Sequence, residues 1–326
     1  MFYPALLSFI RPIHGLDVAY SLFFFYTAVF SMVAYKRLGL FKNFLLFFWF
    51  INVFYAIFQN ILLNSGFDTS TVMLHQNSHS TAYVIPIHSY IPGLYRVTGL
   101  FVESAPFVIF LSIFHIFLGL FGFRQWLKVA NFFIIAFSGA KVGYVFFVFV
   151  FLNWINKRLR LNLSIFYPIL FAISSFLFFI PLFKDFILLI NPFIGGLGSF
   201  WVRLDGLGNV INYFFFDFYK SIFGYGYVSS VQLIQGDYEG PKRGIDFFST
   251  FVFSNGLGGS LVYFILFGSW CKKCFKVNDN YLKNELIFVG FLMLLVMGSL
   301  QQFQYALFFV LISVSGAAKY FQNVKS

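Results

Sequence analysis

Three cations stand at positions where this sequence could do chemistry on a phosphate or a polar head group. Arg203 lies in the glycine-rich stretch 200–209, and its planar guanidinium has the donor geometry that fits phosphate oxygens. Arg96 and Glu103 lie just before a long apolar segment, where they are placed to meet a polar head group. Lys141 closes the break Ser138-Gly139-Ala140-Lys141, and a charge at membrane depth is a functional candidate by default. The structural alternatives are an interfacial anchor for the Arg96–Glu103 pair, snorkelling for Lys141 and plain loop composition around Arg203.

Acidic and aromatic side chains accompany these cations. Asp246 precedes an apolar segment, where its carboxylate could position or deprotonate an acceptor hydroxyl, or cap the following helix. Trp201, Tyr225 and Tyr227 offer flat faces for stacking on sugar rings. The glycines of the segment 223–226, which reads Phe-Gly-Tyr-Gly, allow a ligand to approach the backbone closely. The His and Cys spacings fit no tight metal site, so no metal is expected.

Composition indicates the class of protein that must position these groups. Hydrophobic residues make up 60% of the chain and charged residues only 10%, and 55 of the 326 residues are Phe. Soluble domains carry about 25% charged residues, so lipid is the natural solvent for so many apolar stretches. The net charge of +11 comes from basic residues in short connections, where they orient a chain in a membrane rather than bind nucleic acid. Two cysteines exclude a disulfide scaffold.

Apolar segments of membrane-spanning length recur along the chain, since a helix needs roughly 20 residues to cross the hydrocarbon. We therefore predict an all-α polytopic membrane protein with about seven transmembrane helices. The predicted spans are residues 18–35, 43–63, 104–123, 163–183, 247–270, 285–300 and 303–320.

The stretch 127–152 is also apolar, but the polar break at 138–141 interrupts it. Basic clusters flank it at Arg124 and Lys128 and again at 157–160, and basic residues concentrate in cytoplasmic connections. A simple crossing would put the second cluster outside, whereas a broken re-entrant hairpin returns it to the cytoplasm. The hairpin is favoured because Gly139 permits the turn and a lipid-facing Lys costs about 2.5–3.5 kcal/mol.

With this hairpin, the distribution of charge gives one consistent topology for a single integral membrane domain, 1–326. Two loops are then external, the first at 64–103 and the larger one at 184–246. Most of the 22 Lys and Arg residues become cytoplasmic, and most of the 11 Asp and Glu residues become external. Loops of this length usually carry function, so the active site is expected on the outer face of the membrane.

The order of these elements resembles the O-antigen polymerase/ligase superfamily (Wzy-type). Its members often read Arg-x-Ser-Gly-Phe-x-Glu-Pro-Ser before a span, and residues 96–104 here read Arg-Val-Thr-Gly-Leu-Phe-Val-Glu-Ser. The family's Ser-x-Ser-Lys/Arg corresponds to 138–141, its large-loop Arg to Arg203, and its Phe-Gly-x-Gly to 223–226. The resemblance covers residues 90–320, with short and degenerate motifs.

The resemblance implies a GT-C-like fold in the bacterial inner membrane, with the two external loops and the active site in the periplasm. It also implies a metal-independent glycosyltransferase without a cofactor. It would polymerise oligosaccharide repeat units on undecaprenyl diphosphate into O-antigen or a related surface polysaccharide of lipopolysaccharide biosynthesis. Arg96, Lys141 and Arg203 would bind the diphosphate, Arg203 would also be catalytic, and Glu103 or Asp246 would be the general base. Membrane lipids and a chain-length-regulator membrane protein are the further partners expected.

Two other functions are the alternatives: an O-antigen ligase, and a lipid-linked oligosaccharide flippase or transporter. The ligase branch of the family carries a His in its large loop, and residues 184–246 contain none. A flippase would distribute polar residues through many spans, whereas this chain concentrates them in its predicted external loops. Both comparisons favour a polymerase.

Overall fold

The computed structural model describes residues 15–67, 95, 97–101, 104–159, 217–225, 254–261, 265, 280–296, 304 and 306–314. These residues are mostly helical, as the sequence predicts. The chain divides into two compact units. The first unit comprises Met1–Leu22 and Ile155–Phe267, and the second comprises Phe23–Trp154 and Gly268–Ser326.

Seven helices have defined bounds: α1 (Gly15–Lys36), α2 (Leu38–Asn64), α3 (Ser104–Leu120), α4 (Gln125–Phe137), α5 (Lys141–Leu159), α6 (Phe218–Phe223) and α7 (Asn280–Val296). Residues 254–261 and 306–314 are also helical. Helices therefore occur where the sequence predicts apolar spans at 18–35, 43–63, 104–123 and 285–300. The predicted span 163–183, most of 247–270 and most of the loops 64–103 and 184–246 lie outside the described residues.

Glycines end α2 and α3 in the same way. Gly66 and Gly122 both adopt positive φ, at 85° and 61°. The next N–H reaches back five residues in each case, from Phe67 to Leu62 O at 3.1 Å and from Phe123 to Leu118 O at 3.1 Å. This Schellman arrangement satisfies carbonyls that the last helical turn leaves open, and only glycine adopts the required backbone conformation without a steric cost.

Helix α3 is the core of the second unit. Its side chains from Phe107 to Leu118 are buried on every side of the helix, with His115 as the one partly exposed residue in that run. Helices α2, α4 and α7 all pack against α3. Phe41 contacts Phe117 near one end of the α2–α3 pair, and Phe48 contacts Phe110 farther along, so these two helices run antiparallel.

Helix α2 has an inverted distribution of polar and apolar side chains. Its buried stripe includes Asn52 and Gln59, both 0% exposed, whereas Phe47 is 65% and Phe54 is 73% exposed. A soluble protein places its amides outside and its large aromatics inside. A helix in lipid does the reverse, because its polar side chains face the bundle interior. Of the helices in the described part of the chain, α2 is the one both long and apolar enough to cross a membrane.

Helices α4 and α5 form a hairpin at the predicted break. Gly139 turns the chain with φ 66°, and the Ser138 hydroxyl donates to Ile135 O at 2.6 Å to close the end of α4. A Cβ on Gly143 would lie 3.0 Å from Ile135 O. Those two residues would be about 12 Å apart along one continuous helix, so the chain reverses its direction here.

The remaining described helices of the second unit complete its packing. Asn153 near the end of α5 donates to Glu285 Oε1 at 3.4 Å, and Phe149 stacks on Phe288, so α5 and α7 run antiparallel. Gln304 Nε2 donates to Pro106 O at 3.0 Å at the start of α3. The segment 306–314 is buried along most of its length.

Two glycine-rich elements meet in the first unit. Helix α6 is capped by Asp217, whose Oδ1 accepts from Tyr219 N–H at 3.0 Å and from Lys220 N–H at 3.2 Å. It ends at Gly224, which has φ 83°. A Cβ on Gly224 would collide with the Ser254 carbonyl, and a Cβ on Gly256 would collide with the Ile222 carbonyl. The backbones of the two elements therefore touch directly, which requires glycine on both sides.

Candidate functional site

The segment 97–101, which we call the clamped loop, makes four hydrogen bonds to one side chain of α2, that of Gln59. Gln59 Oε1 accepts from the backbone N–H groups of Thr98 at 3.1 Å and Gly99 at 3.0 Å. The Gln59 amide nitrogen donates to Thr98 Oγ1 at 3.1 Å and to Gly99 O at 3.4 Å. One buried amide thus pairs with four polar groups on two consecutive residues. The loop directly follows Arg96 and precedes Glu103 in the sequence.

Two further amides of α2 extend the clamp. Asn52 Oδ1 accepts from Leu100 N–H at 3.1 Å, while Asn52 Nδ2 donates to Phe48 O at 2.9 Å. Asn60 Nδ2 donates to Tyr95 O at 3.4 Å, on the other side of Arg96. Main-chain groups on both sides of Arg96 in the sequence are therefore tied to the same helix.

Close packing at Gly99 fixes the loop further. Gly99 has φ 55°, and a Cβ there would lie 2.9 Å from ring carbons of Phe107 and 3.0 Å from Asn52 Oδ1. Removing a partner from a buried donor or acceptor costs about 1–3 kcal/mol per group. The clamp therefore gives the loop one defined conformation against α2 and α3.

The α4–α5 turn lies at the same end of α3 as the clamped loop. The connection 121–124 between α3 and α4 has only four residues, too few to carry the chain back along α3, so the two helices run antiparallel. Asn131 Nδ2 donates to Leu111 O at 2.9 Å, and Phe132 lies near His115. Antiparallel helices advance by equal rises per residue. Counting from these two pairs places the end of α4 level with residues 105–110. Phe107, which packs against Gly99, falls in that same range.

A polar junction joins α2, α3 and α4 farther along α3, at Leu111 and Phe114. Trp49 Nε1 donates to Asn131 Oδ1 at 2.8 Å, and the Trp49 ring stacks on Phe114 at 5.3 Å. Because Asn131 also bonds to α3, its side chain connects all three helices. This junction stabilises the packing of the three helices.

The opposite end of α2 is basic. Lys42 Nζ lies 4.7 Å from the centre of the Phe121 ring and 5.5 Å from that of Phe123. Lys36, Arg37 and Arg124 are exposed at the same end. Lys42 and Gln59 are 17 residues apart on one helix, so the basic end and the clamp lie about 26 Å apart.

Tyr225 is the one predicted sugar-binding residue that lies within the described part of the chain. Lys220 Nζ lies 5.1 Å from the centre of its ring, so a cation faces the ring. The Lys220 ammonium also lies 3.6 Å from Asp217 Oδ2. A sugar that stacks on Tyr225 must therefore use the other face of the ring or displace Lys220.

Most of the predicted site residues lie outside the described part of the chain. They are Arg96, Glu103, Trp201, Arg203, Tyr227 and Asp246. Lys141 is described as the first residue of α5, at the turn where the sequence predicts it, but its side chain is not among those described. The roles assigned to these residues stay predictions.

The clamp residues Asn52 and Gln59 carry a sequence signal of their own, although neither is charged. Asn52 and Gln59 are seven residues apart in a long apolar segment, which places them two turns apart on one helix face. Amides on one face of a lipid-embedded helix need partners, so this spacing alone indicates a polar contact with another element.

No family model, no curated protein and no solved structure matches the chain.

Proposed function

We propose that this chain is a multi-pass protein of the bacterial inner membrane that polymerises undecaprenyl-diphosphate-linked repeat units at its periplasmic face. One observation carries the proposal: the loop that follows Arg96 and the turn that leads into Lys141 lie at the same end of α3. Two motifs that lie far apart in the sequence, both matched by the polymerase resemblance, thus have described residues at the same end of α3. A site that must surround a diphosphate needs such convergence.

The inverted helix α2 supports the membrane part of this proposal. Its buried amides and exposed aromatics fit lipid as the surrounding solvent. The distance of about 26 Å between the basic Lys42 end and the Gln59 clamp is close to the thickness of the hydrocarbon, about 30 Å. Basic residues mark the cytoplasmic side, so the clamped loop would lie at the periplasmic side.

Replacing Phe54 with Lys tests the membrane assignment. Phe54 is 73% exposed and lies near the middle of α2. If lipid covers this face, the substitution costs about 3 kcal/mol of insertion free energy, and the amount of folded protein in the membrane fraction falls strongly. Immunoblots of membranes washed at high pH provide the measurement.

The matched control for that experiment is Phe218→Lys, since Phe218 is 81% exposed and lies in the predicted external loop. This variant should accumulate like the native protein. Surface substitutions in water usually change stability by less than about 0.5 kcal/mol. Equal behaviour of the two variants would therefore contradict a lipid-facing α2.

The proposed reaction joins two lipid-linked chains. The terminal hydroxyl of the acceptor repeat unit attacks the anomeric carbon of the donor chain, and the bond from that carbon to the diphosphate oxygen breaks. The hydroxyl proton passes to a base, Glu103 or Asp246, and the lipid diphosphate leaves with the bonding electrons. Cations fixed in advance around the departing oxygens stabilise that developing charge, and this is the proposed role of Arg96, Lys141 and Arg203.

Deleting the gene tests the reaction. Cells without a polymerase should accumulate surface lipid that carries a single repeat unit, because export and ligation still proceed. Loss of a ligase would instead leave long chains on the lipid carrier, and loss of a flippase would leave repeat units on the cytoplasmic face. Mass spectrometry of extracted lipids together with gel analysis of surface polysaccharide separates these outcomes, and either of the last two would overturn the proposal.

A further inference from the structure

We infer that Gln59 is a positioning residue that holds the Arg96 loop in its working conformation, an inference that rests on the proposed polymerase function. Gln59 lies on α2 and is fully buried. It acts through the clamped loop rather than on a substrate.

The four hydrogen bonds between the Gln59 side chain and the clamped loop all go to Thr98 and Gly99. Both N–H groups that its Oε1 accepts belong to a non-helical segment, so neither has a helical carbonyl as partner. At membrane depth, irregular backbone must be satisfied by protein groups or by water in a cavity. Gln59 supplies these partners for Thr98 and Gly99, and Asn52 supplies one for Leu100.

An apolar side chain would serve the packing of α2 as well as Gln59 does. Several other buried residues of its stripe, such as Leu45, Ala56 and Leu63, are apolar, and they pack the helix without hydrogen bonds from their side chains. Burying an amide is costly unless it is paired. The four contacts to the clamped loop are therefore what Gln59 adds to this face.

The position of the clamp connects it to the proposed chemistry. The clamped loop begins at Val97, the residue after Arg96. On the other side of Arg96 in the sequence, Asn60 Nδ2 donates to Tyr95 O. A cation stabilises a departing diphosphate best when its position is fixed before the reaction. Releasing the loop should therefore weaken catalysis through Arg96 while the packed helices remain in place.

The first experiment measures activity in purified, lipid-reconstituted protein with a lipid-linked repeat unit as substrate. Gln59→Leu should lower kcat about 10- to 100-fold, the size of effect expected when a catalytic group moves by about 1 Å. In an Arg96→Ala background the same substitution should lower kcat by less than about twofold, because residues acting through one group are not additive. A full additional loss in that background would overturn the inference.

Two variants guard against a purely structural explanation. Trp49 lies on the same helix as Gln59, and Trp49→Phe removes its buried hydrogen bond to Asn131 of α4 while keeping Gln59, Asn52 and Asn60, so this variant should keep native kcat. Gln59→Glu retains oxygens that accept from Thr98 and Gly99, and its kcat should lie between those of the native protein and Gln59→Leu. If Gln59→Leu does not fold, Gln59→Glu replaces it in the double-mutant comparison with Arg96→Ala. Effects on kcat that are not additive again support the inference.

The second experiment does not depend on activity. A spin label is placed at position 96 as Arg96→Cys, after Cys271 and Cys274 have been replaced by Ser. The label should be strongly immobilised in the clamped protein, mobile in Gln59→Leu and immobilised in Trp49→Phe. Equal mobility in all three would overturn the positioning role while leaving the proposed function intact. A mobile label in Gln59→Leu, together with no polymer formation by native protein, would uphold the clamp and reject the polymerase.

Discussion

Replacing Arg203 with Ala is expected to abolish long polysaccharide chains. Losing one preorganised donor to a developing negative charge costs roughly 10²–10³ in rate, and a cell with that deficit would export mainly single repeat units. Gel analysis of surface polysaccharide and the rate of polymerisation in reconstituted protein both measure the effect. Arg203→Lys keeps the charge but loses the planar fork of donors, so its rate should be intermediate.

Arg158 provides the control for this prediction. It is an exposed basic residue near the end of α5 and belongs to the predicted cytoplasmic cluster. Arg158→Ala removes the same type of charge without approaching the proposed site, so chain lengths should stay native. Normal chain lengths from Arg203→Ala, at a normal protein level, would remove Arg203 from the site.

The helices could be predicted from apolarity, and their ends depend on other physical effects. The predicted start of the second span, residue 43, is later than the observed start of α2 at Leu38. Lys42 explains this difference, because its ammonium lies over the Phe121 and Phe123 rings while its backbone stays helical. Hydrophobicity alone assigns such a residue to the loop.

Glycines explain the ends that hydropathy misjudged. The predicted third span extends to residue 123, whereas α3 ends at Leu120 because Gly122 turns the chain with positive φ. The break between α4 and α5 was predictable for the same reason, since Ser138 and Gly139 combine a side-chain cap with a left-handed residue. Ends that depend on a backbone conformation are therefore readable when a glycine marks them.

The clamp could not be derived from the sequence as a contact. The spacing of Asn52 and Gln59 places them on one face, but it does not say which segment they hold. Most of their partners in this loop are main-chain groups of residues 98–100, 39 to 48 positions away, and main-chain groups carry no sequence signal. The charge of Arg96 therefore marks it in the sequence, whereas nothing in the sequence marks Asn52 and Gln59 as the side chains that hold the residues after it.

The two ends of α2 in the second unit differ in charge. Basic residues gather at the Lys42 end, where, under the proposed topology, they would face the anionic lipid head groups of the cytoplasmic leaflet. At the other end, the described side chains that contact the clamped loop are neutral amides and aromatics.

Replacing Gly256 with Ala is expected to separate the two glycine-rich elements of the first unit. Gly256 has φ 65°, and an added Cβ would collide with the carbonyl of Ile222 and the backbone of Gly224. Backbone atoms cannot move aside as a side chain can. The variant should therefore lose both folded protein and long polysaccharide chains, as measured by its melting temperature in detergent and by gel analysis.

Two other glycines make this a graded series. Gly66 also has positive φ, at 85°, but nothing lies within 4 Å of an added Cβ, so Gly66→Ala carries only the conformational strain of about 1–2 kcal/mol. Gly258 lies in a helix, and a Cβ there would be 3.0 Å from Ile222 O, a tight contact without the backbone strain. Gly256→Ala combines both effects and should cause the largest fall in melting temperature. If it were no more destabilising than Gly66→Ala, the backbones of the two elements would not be in contact, and the Phe-Gly-Tyr-Gly segment would lose its structural link to the helix at 254–261.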